Sequence, residues 1–250
     1  MRIRTLITGG STCSRIDNVR RISNIFTGKS GTKIAKYFLE QGAVVTLLNS
    51  RPLIEYAEES IRSLEWDYID INVIQYRTFD ELKDSIQREL ADQPVMTGET
   101  PFQYDVIIHS AAVSDYGVDG AYEMGYDDTG NPMMWPINEP KIKSGRKELY
   151  LKLVPLPKIV DLIKTEWGFK GILVKFKLES QKSDQQLIDI ALKSMRQSDA
   201  DFIVANCLEW YSQRAVIISK NGSIADVNRD TLNSTLYDLI NQELLHRKEE

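Results

Sequence analysis

The sequence predicts an α/β fold: a parallel sheet flanked by helices, with a small antiparallel extension and a long flap. Three observations predict it. Apolar, β-branched runs of strand length recur at residues 2–8, 44–48, 71–76, 105–109, 171–176 and 202–205. Between most of them lie stretches whose apolar residues return every three or four positions, so strands alternate with helices and run parallel. The first run stops at Gly9-Gly10, where missing side chains let backbone amides approach a ligand closely.

Taken in order, the first strand leads into residues 11–28, too many for a tight strand-to-helix turn of about two to six residues. Arg15, Asp17, Arg20, Arg21, Ser23, Asn24, Thr27 and Lys29 make this stretch dense in phosphate and carboxylate ligands, which marks a loop that builds a site. Ile34, Ala35, Phe38 and Leu39 then share a helical face that ends at Gly42. Residues 51–64 are helical in pattern, and Thr78 with Glu81 forms a capping box for a helix carrying Phe79, Leu82, Ile86 and Leu90. Residues 92–103, with Pro94, Gly98 and Pro101, read as a loop. The fourth strand empties into an irregular stretch from Ser110 to about Arg146, and that length predicts a lid, a flap or an interface arm. Residues 148–154 alternate as a strand beside the main sheet, and 157–167 read as a helix with Pro157 at its start. Ser183 and Gln186 cap a helix carrying Leu187, Ile190, Ala191 and Met195. Asn221-Gly222 turns a hairpin between 215–219 and 224–227, and a last helix runs from Leu232 to about Leu245. The whole is expected to be one Rossmann-like domain over residues 1–250 with an insertion at about 110–150.

Composition narrows the class. A chain of 250 residues buries a full α/β core. Its 31 Lys and Arg against 36 Asp and Glu, a formal charge of −5, argue against a nucleic-acid partner, whose phosphates call for a basic balance. Cys13 and Cys207 have no metal or disulfide spacing, which fits a cytoplasmic location. No run approaches the roughly 18 apolar residues of a membrane span, so no membrane partner is expected.

In open parallel sheets ligands bind beyond the carboxyl ends of the strands. Gly9 and Gly10 follow the first strand, the run from Ser110 to Asp115 the fourth, Phe176 and Glu179 the fifth, and Asn206 the sixth. These residues suit a nucleotide-type ligand. Gly28-Lys29-Ser30 copies the end of a phosphate-binding P-loop, but Ser23 stands where its first glycine belongs. The GxGxxG fingerprint is absent, the second strand ends Leu47-Leu48-Asn49 without an acidic residue, and no tyrosine precedes a lysine by four. An NAD(P)-dependent reductase therefore stays only as an alternative. On residue type alone Asn24 also fits a turn, Asp115 a helix cap, Lys141 a solvated charge and His109 a satisfied core histidine. Met133, Met134 and Trp135 fit either a subunit contact or a substrate lid.

At several blocks the chain resembles the phosphopantothenate cysteine ligase family, also called phosphopantothenoylcysteine synthetase. These are Gly9-Gly10-Ser11-Thr12, residues 16–24, residues 27–31, residues 111–116, residues 141–145, residues 176–179 and residues 203–206. No flavin-dependent decarboxylase segment is recognised, so the stand-alone form is expected. The resemblance implies ligation of 4′-phosphopantothenate with L-cysteine through an acyl-nucleotide, with ATP or CTP as cosubstrate, magnesium, and a homodimer joined through the flap. It implies catalytic roles for Asn24 and Lys141, and Arg20 is a candidate beside them. It further implies nucleotide contacts from Gly9, Gly10, Ser11, Ala111, Asp115, Phe176, Lys193 and Asn206, and substrate contacts from Lys29 and Ala112. Members that use CTP carry two lysines where this chain has Ser194 and Ser198, and the family's Ala-Asn-Asp is Ala205-Asn206-Cys207 here. Those departures lean the nucleotide toward ATP and keep a catalytically inactive homologue as a further alternative.

Overall fold

The computed structural model describes residues 2–51, 71–91 and 104–249. β1 (Arg4–Gly9) leads into a hairpin of β2 (Cys13–Arg15) and β3 (Arg21–Ser23), then α1 (Lys29–Glu40) and β4 (Val44–Asn49). β5 (Ile71–Gln75), α2 (Phe79–Ala91) and β6 (Val106–His109) follow. β7 (Tyr116–Tyr126), β8 (Pro132–Pro136) and β9 (Tyr150–Pro155) form an antiparallel arm. α3 (Ile159–Thr165), β10 (Ile172–Glu179), α4 (Asp184–Ser198), β11 (Phe202–Cys207), β12 (Arg214–Ser219), β13 (Ile224–Asn228) and α5 (Leu232–Glu249) complete the chain.

The main sheet runs β13-β12-β11-β10-β6-β1-β4-β5. Its strands are parallel from β5 to β11, and β12 and β13 add on antiparallel. The parallel part thus carries the doubly wound Rossmann order, which reverses direction between β1 and β6. Residues Ile34, Ala35 and Phe38 of α1 and Leu232, Leu236 and Ile240 of α5 cover one face. Leu82 and Ile86 of α2, Ile159 and Ile163 of α3, and Leu187 and Ala191 of α4 cover the other. Burial on both sides explains why β1 and β11 read as unbroken apolar runs rather than alternating ones.

The joint between β1 and α1 is made of backbone. Gly10 and Gly28 both sit at positive φ, +88° and +94°, and a Cβ on Gly28 would lie 2.5 Å from the Gly10 nitrogen. Only glycine admits that approach, and it brings the first turn of α1 against the carboxyl end of β1.

Both capping boxes form: Glu81 N–H donates to Thr78 Oγ1 at 3.2 Å, and Gln186 N–H to Ser183 Oγ at 3.3 Å. Other expectations need correction. Residues 11–28 are not a bare loop, because β2 and β3 pair in a hairpin with Ser14 opposite Ile22. Residues 110–146 are not irregular either, since β7 and β8 lie within them. These strands are solvated on both sides over much of their length, so they lack the apolar alternation that marks a half-buried strand. The arm is locked by side chains instead: Trp135 lies over Gly125, and Arg146 bridges Glu123 and Glu139. α3 starts at Ile159 with Lys158 as its N-cap, leaving Pro157 outside the helix. The predicted helix 51–64, beyond Arg51, and the predicted loop 92–103 lie outside the described residues.

Candidate functional site

A cleft of about 700 Å³ opens where the strand order reverses. Gly10 and residues 109–112 form its floor, and residues 24–31, 157–160 and 175–178 line it together with Asn206, Tyr211 and Arg229. The floor is stitched together by backbone: Ala112 N–H donates to Gly10 O at 2.7 Å, and Thr12 N–H to Ala112 O at 3.3 Å. Beneath it, the Tyr76 hydroxyl donates to Gly9 O at 2.7 Å.

Asn24 is fixed against this floor, its Nδ2 donating to Ala112 O at 2.9 Å. A carboxamide nitrogen carries two hydrogens, so one remains for a ligand. Alongside it, α1 begins with no side-chain cap and no acidic residue in its first turn. Its free N–H groups and the positive end of its dipole favour an anion there. The walls agree in sign: Lys29, Lys158, Lys175, Lys177 and Arg229 line the cleft against Asp115 alone among its described carboxylates. Lys158, Lys175 and Lys177 have carboxylate partners at 3.7, 3.4 and 2.9 Å, so the charge open to a ligand comes chiefly from Lys29 and Arg229.

Lys175 is 3% exposed. Its ammonium donates to Ser194 O at 3.0 Å, to Ser198 Oγ at 3.0 Å and to Asp161 Oδ1 at 3.4 Å. Burial pulls its pKa down, and Asp161 works against that. His109, its register neighbour on β6, is buried with Nδ1 3.1 Å from Thr8 Oγ1. Burial, then the Lys175 charge, pushes the His109 pKa down to about 4. In the unfolded chain a histidine takes its proton near pH 6.5. Between those values the unfolded state binds the extra proton, so stability falls as pH is lowered through that window. The expected loss is about 2 kcal/mol by pH 5. Urea unfolding at pH 7 and pH 5 checks it: His109→Asn should lose much less of its midpoint on acidification than the parent, and equal losses would refute the assignment.

Gly10, Asn24, Lys29, Ala111, Ala112, Asp115, Phe176 and Asn206 all line the cleft. Five other sequence candidates do not. Gly9 is buried under the floor, and the Ser11 N–H is taken by Ser50 Oγ at 3.0 Å. Lys193 points outward from α4 and is exposed. The Arg20 guanidinium donates to Asp17 Oδ2 at 2.6 Å and to Ile142 O at 2.5 Å, so it is a clasp rather than a free cation. Lys141 is exposed on the segment that this clasp holds. Asp17, whose side chain is 1% accessible, also accepts N–H groups from Val19 at 2.8 Å, Arg20 at 2.7 Å and Ile142 at 3.0 Å. The Arg20 guanidinium, with help from those amides, holds its carboxyl well below the usual carboxylate range.

Among the lining residues that sequence reasoning did not single out are Lys175, Tyr211 and Arg229. A lysine inside the apolar run GILVKF was a legible signal for the first. Nothing around the other two pointed to a site, because only the antiparallel β12–β13 hairpin and the turn before it bring them there. Among the described residues no group of three His, Cys, Asp or Glu side chains is placed to hold a metal. Asp115 is exposed and lies 3.7 Å from Lys158, so this donor set does not fit a cation held by protein alone.

Sheet order and glycine floor define a Rossmann-like α/β protein with a cleft where the strand order reverses. The family model described as the DNA/pantothenate metabolism flavoprotein C-terminal domain matches residues 2–124. Similarity extends further. The chain is 31% identical over 91% of its length to the coenzyme A biosynthesis bifunctional protein CoaBC of Thermococcus kodakarensis, of which it spans 45%. It is 24% identical over 90% of its length to phosphopantothenate--cysteine ligase 1 of Oryza sativa subsp. japonica, covering 75% of that protein. The chain spans less than half the length of the CoaBC relatives. Among solved structures, the DNA/pantothenate metabolism flavoprotein from Streptococcus pneumoniae superposes with a TM-score of 0.71 at 27% identity, covering 97% of this chain and 99% of that one. A Cab2 variant in complex with phosphopantothenate-cysteine shares the fold, with a TM-score of 0.66 at 15% identity.

Proposed function

We propose that the cleft ligates 4′-phosphopantothenate to L-cysteine at the expense of a nucleoside triphosphate, giving 4′-phosphopantothenoyl-L-cysteine in coenzyme A synthesis. The observation that carries this reading is the anchored Asn24 amide, standing between the uncapped opening of α1 and a wall of lysines. The names borne by the rice and archaeal relatives support it. In the first step a carboxylate oxygen of phosphopantothenate attacks the α-phosphorus, and pyrophosphate leaves. In the second the cysteine amine attacks the acyl carbonyl, loses a proton, and expels the nucleoside monophosphate. Both steps gather negative charge on oxygen, so preorganised donors outweigh an acid/base pair. Asn24 gives its remaining N–H to the acyl oxygen, and Lys29 with the first turn of α1 receives phosphate. Ala111, Ala112 and Phe176 offer apolar surface for the base and the pantetheine chain. Lys141 serves from the strap that Arg20 and Asp17 hold.

ATP is the nucleotide we favour. Ser194 and Ser198 replace the lysines of CTP users, and the space beside them takes the Lys175 ammonium instead. Magnesium, if used, belongs to the incoming triphosphate, and no step above runs through it. We take the chain as one domain with an inserted arm, and the exposed Met133, Met134 and Trp135 of that arm support a homodimer formed through it. No helix among the described residues is long and apolar enough to cross a membrane, and a cytoplasmic site of action is part of the same proposal. A reductase finds less support, because Asn49 at the end of β4 is fully buried and offers nothing to a ribose.

A pyrophosphate-release assay run in parallel with ATP and CTP tests the reading. Release is expected only when phosphopantothenate and a triphosphate are both present, and faster with ATP. Silence with both nucleotides sinks the assignment, and a faster rate with CTP reverses the nucleotide preference.

A further inference from the structure

We infer that Arg229 forms, with Ser30 and the opening of α1, a phosphate anchor in the cleft. The inference rests on the ligase reading for its choice of ligands, but not for its geometry. Arg229 lies between β13 and α5, far along the chain from the loops that carry the family resemblance. Its backbone N–H is fixed to Gln213 O at 2.9 Å, and its guanidinium donates to Ser30 Oγ at 2.8 Å, in the first turn of α1.

The two arginines that flank it in the C-terminal part of the chain have acidic partners. Arg214 meets Asp184 at 2.7 Å and Asp226 at 2.6 Å, and Arg247 meets Asp201 at 2.6 Å and Glu243 at 2.8 Å. Arg229 is partly buried, lines the cleft, and has no carboxylate partner among the described residues. A guanidinium withdrawn from water without a counter-ion is costly, and a bound anion removes that cost. α1 adds the first-turn amides of a 12-residue helix without a side-chain cap. A guanidinium fork, backbone N–H groups and a hydroxyl converging from separate elements match the oxygens of a phosphate group. Two sources carry that chemistry, the polyphosphate of the nucleotide and the phosphate of phosphopantothenate.

Calorimetric titration of the full chain with inorganic pyrophosphate, ATP and phosphopantothenate, each alone, tests the anchor without requiring turnover. Arg229→Gln is expected to weaken at least one of them by about 10- to 100-fold, consistent with loss of a charge-assisted bidentate contact. Arg229→Lys should fall between, because it keeps the charge and loses the fork. Lys220→Gln, which removes an exposed cation paired with Asp199, should bind like the parent. Weakening of pyrophosphate and ATP together assigns the anchor to the nucleotide, and weakening of phosphopantothenate alone assigns it to the acyl substrate. Unchanged affinity for all three overturns the inference, as does equal weakening in Lys220→Gln or failure of the parent to bind any of them. Arg229→Lys decides the matter if Arg229→Gln does not fold. Phosphate binding that depends on Arg229 in a protein that releases no pyrophosphate would retire the ligase reading and leave the anchor standing.

Discussion

Replacing Asn24 by aspartate lowers the rate of amide formation by about 10²- to 10³-fold, the scale of losing one preorganised oxyanion donor, while nucleotide affinity stays close to the parent's. The two side chains are nearly the same size, so packing against the floor survives. What changes is chemistry. Asn24 donates to Ala112 O at 2.9 Å, and a carboxylate in its place has no hydrogen for that oxygen or for an acyl oxygen. It would also set a negative charge where negative charge develops. Rapid-quench single-turnover measurement with ATP, phosphopantothenate and cysteine separates the steps: the acyl-nucleotide should accumulate while product formation slows. Unchanged turnover would remove Asn24 from its role.

Gly28→Ala has the largest expected effect on stability. The new Cβ would lie 2.5 Å from Gly10 N and 2.7 Å from Asn49 Oδ1, at a φ of +94°. Gly10 is backbone at the end of a buried strand and Asn49 is fully buried, so neither neighbour can retreat cheaply. Left-handed strain of about 1–3 kcal/mol and overpacking of about 1–3 kcal/mol together lower the melting temperature by roughly 5–20 °C for a chain of this size. Gly130→Ala is the comparison, because Gly130 has a similar φ of +84° and nothing within 4 Å of its Cβ position. That variant should lose only the strain contribution. Calorimetric scans of the two side by side decide the point; equal melting temperatures would mean that the contact between Gly28 and Gly10 contributes nothing.

The parts of the fold that could be read from the chain are those where one local rule governs. Leu6 and Ile7, buried on both faces of the sheet, stand in an unbroken apolar run, and Ser183 with Gln186 announces the start of α4 before any contact is known. The strands of the arm are not legible in the chain because they answer to Trp135 over Gly125 and to the Arg146 clamp, pairings that leave no period in the sequence. The candidate site divides in the same way. Asn24, Lys29, Ala111 and Phe176 sit in blocks that resemble a family, at the ends of elements whose order follows from strand alternation. Arg229 answers to no local pattern, since its place at the cleft depends on two antiparallel strands added after the sixth parallel one. Arg20 shows the opposite limit. A basic residue in a polar loop reads as a ligand for substrate until Asp17 is seen to have claimed it.

That claim makes two distant pieces of sequence one heritable part. Asp17 accepts from Ile142 N at 3.0 Å, Arg20 donates to Ile142 O at 2.5 Å, and Asn18 N donates to Pro140 O at 3.0 Å. A chimera that imports the opening loop from a relative without the strap at 140–142, or the strap without the loop, leaves a nearly buried carboxylate and its amides without their partners. The transplantable module is therefore the pair, and substitutions in either piece are tolerated only as the other allows.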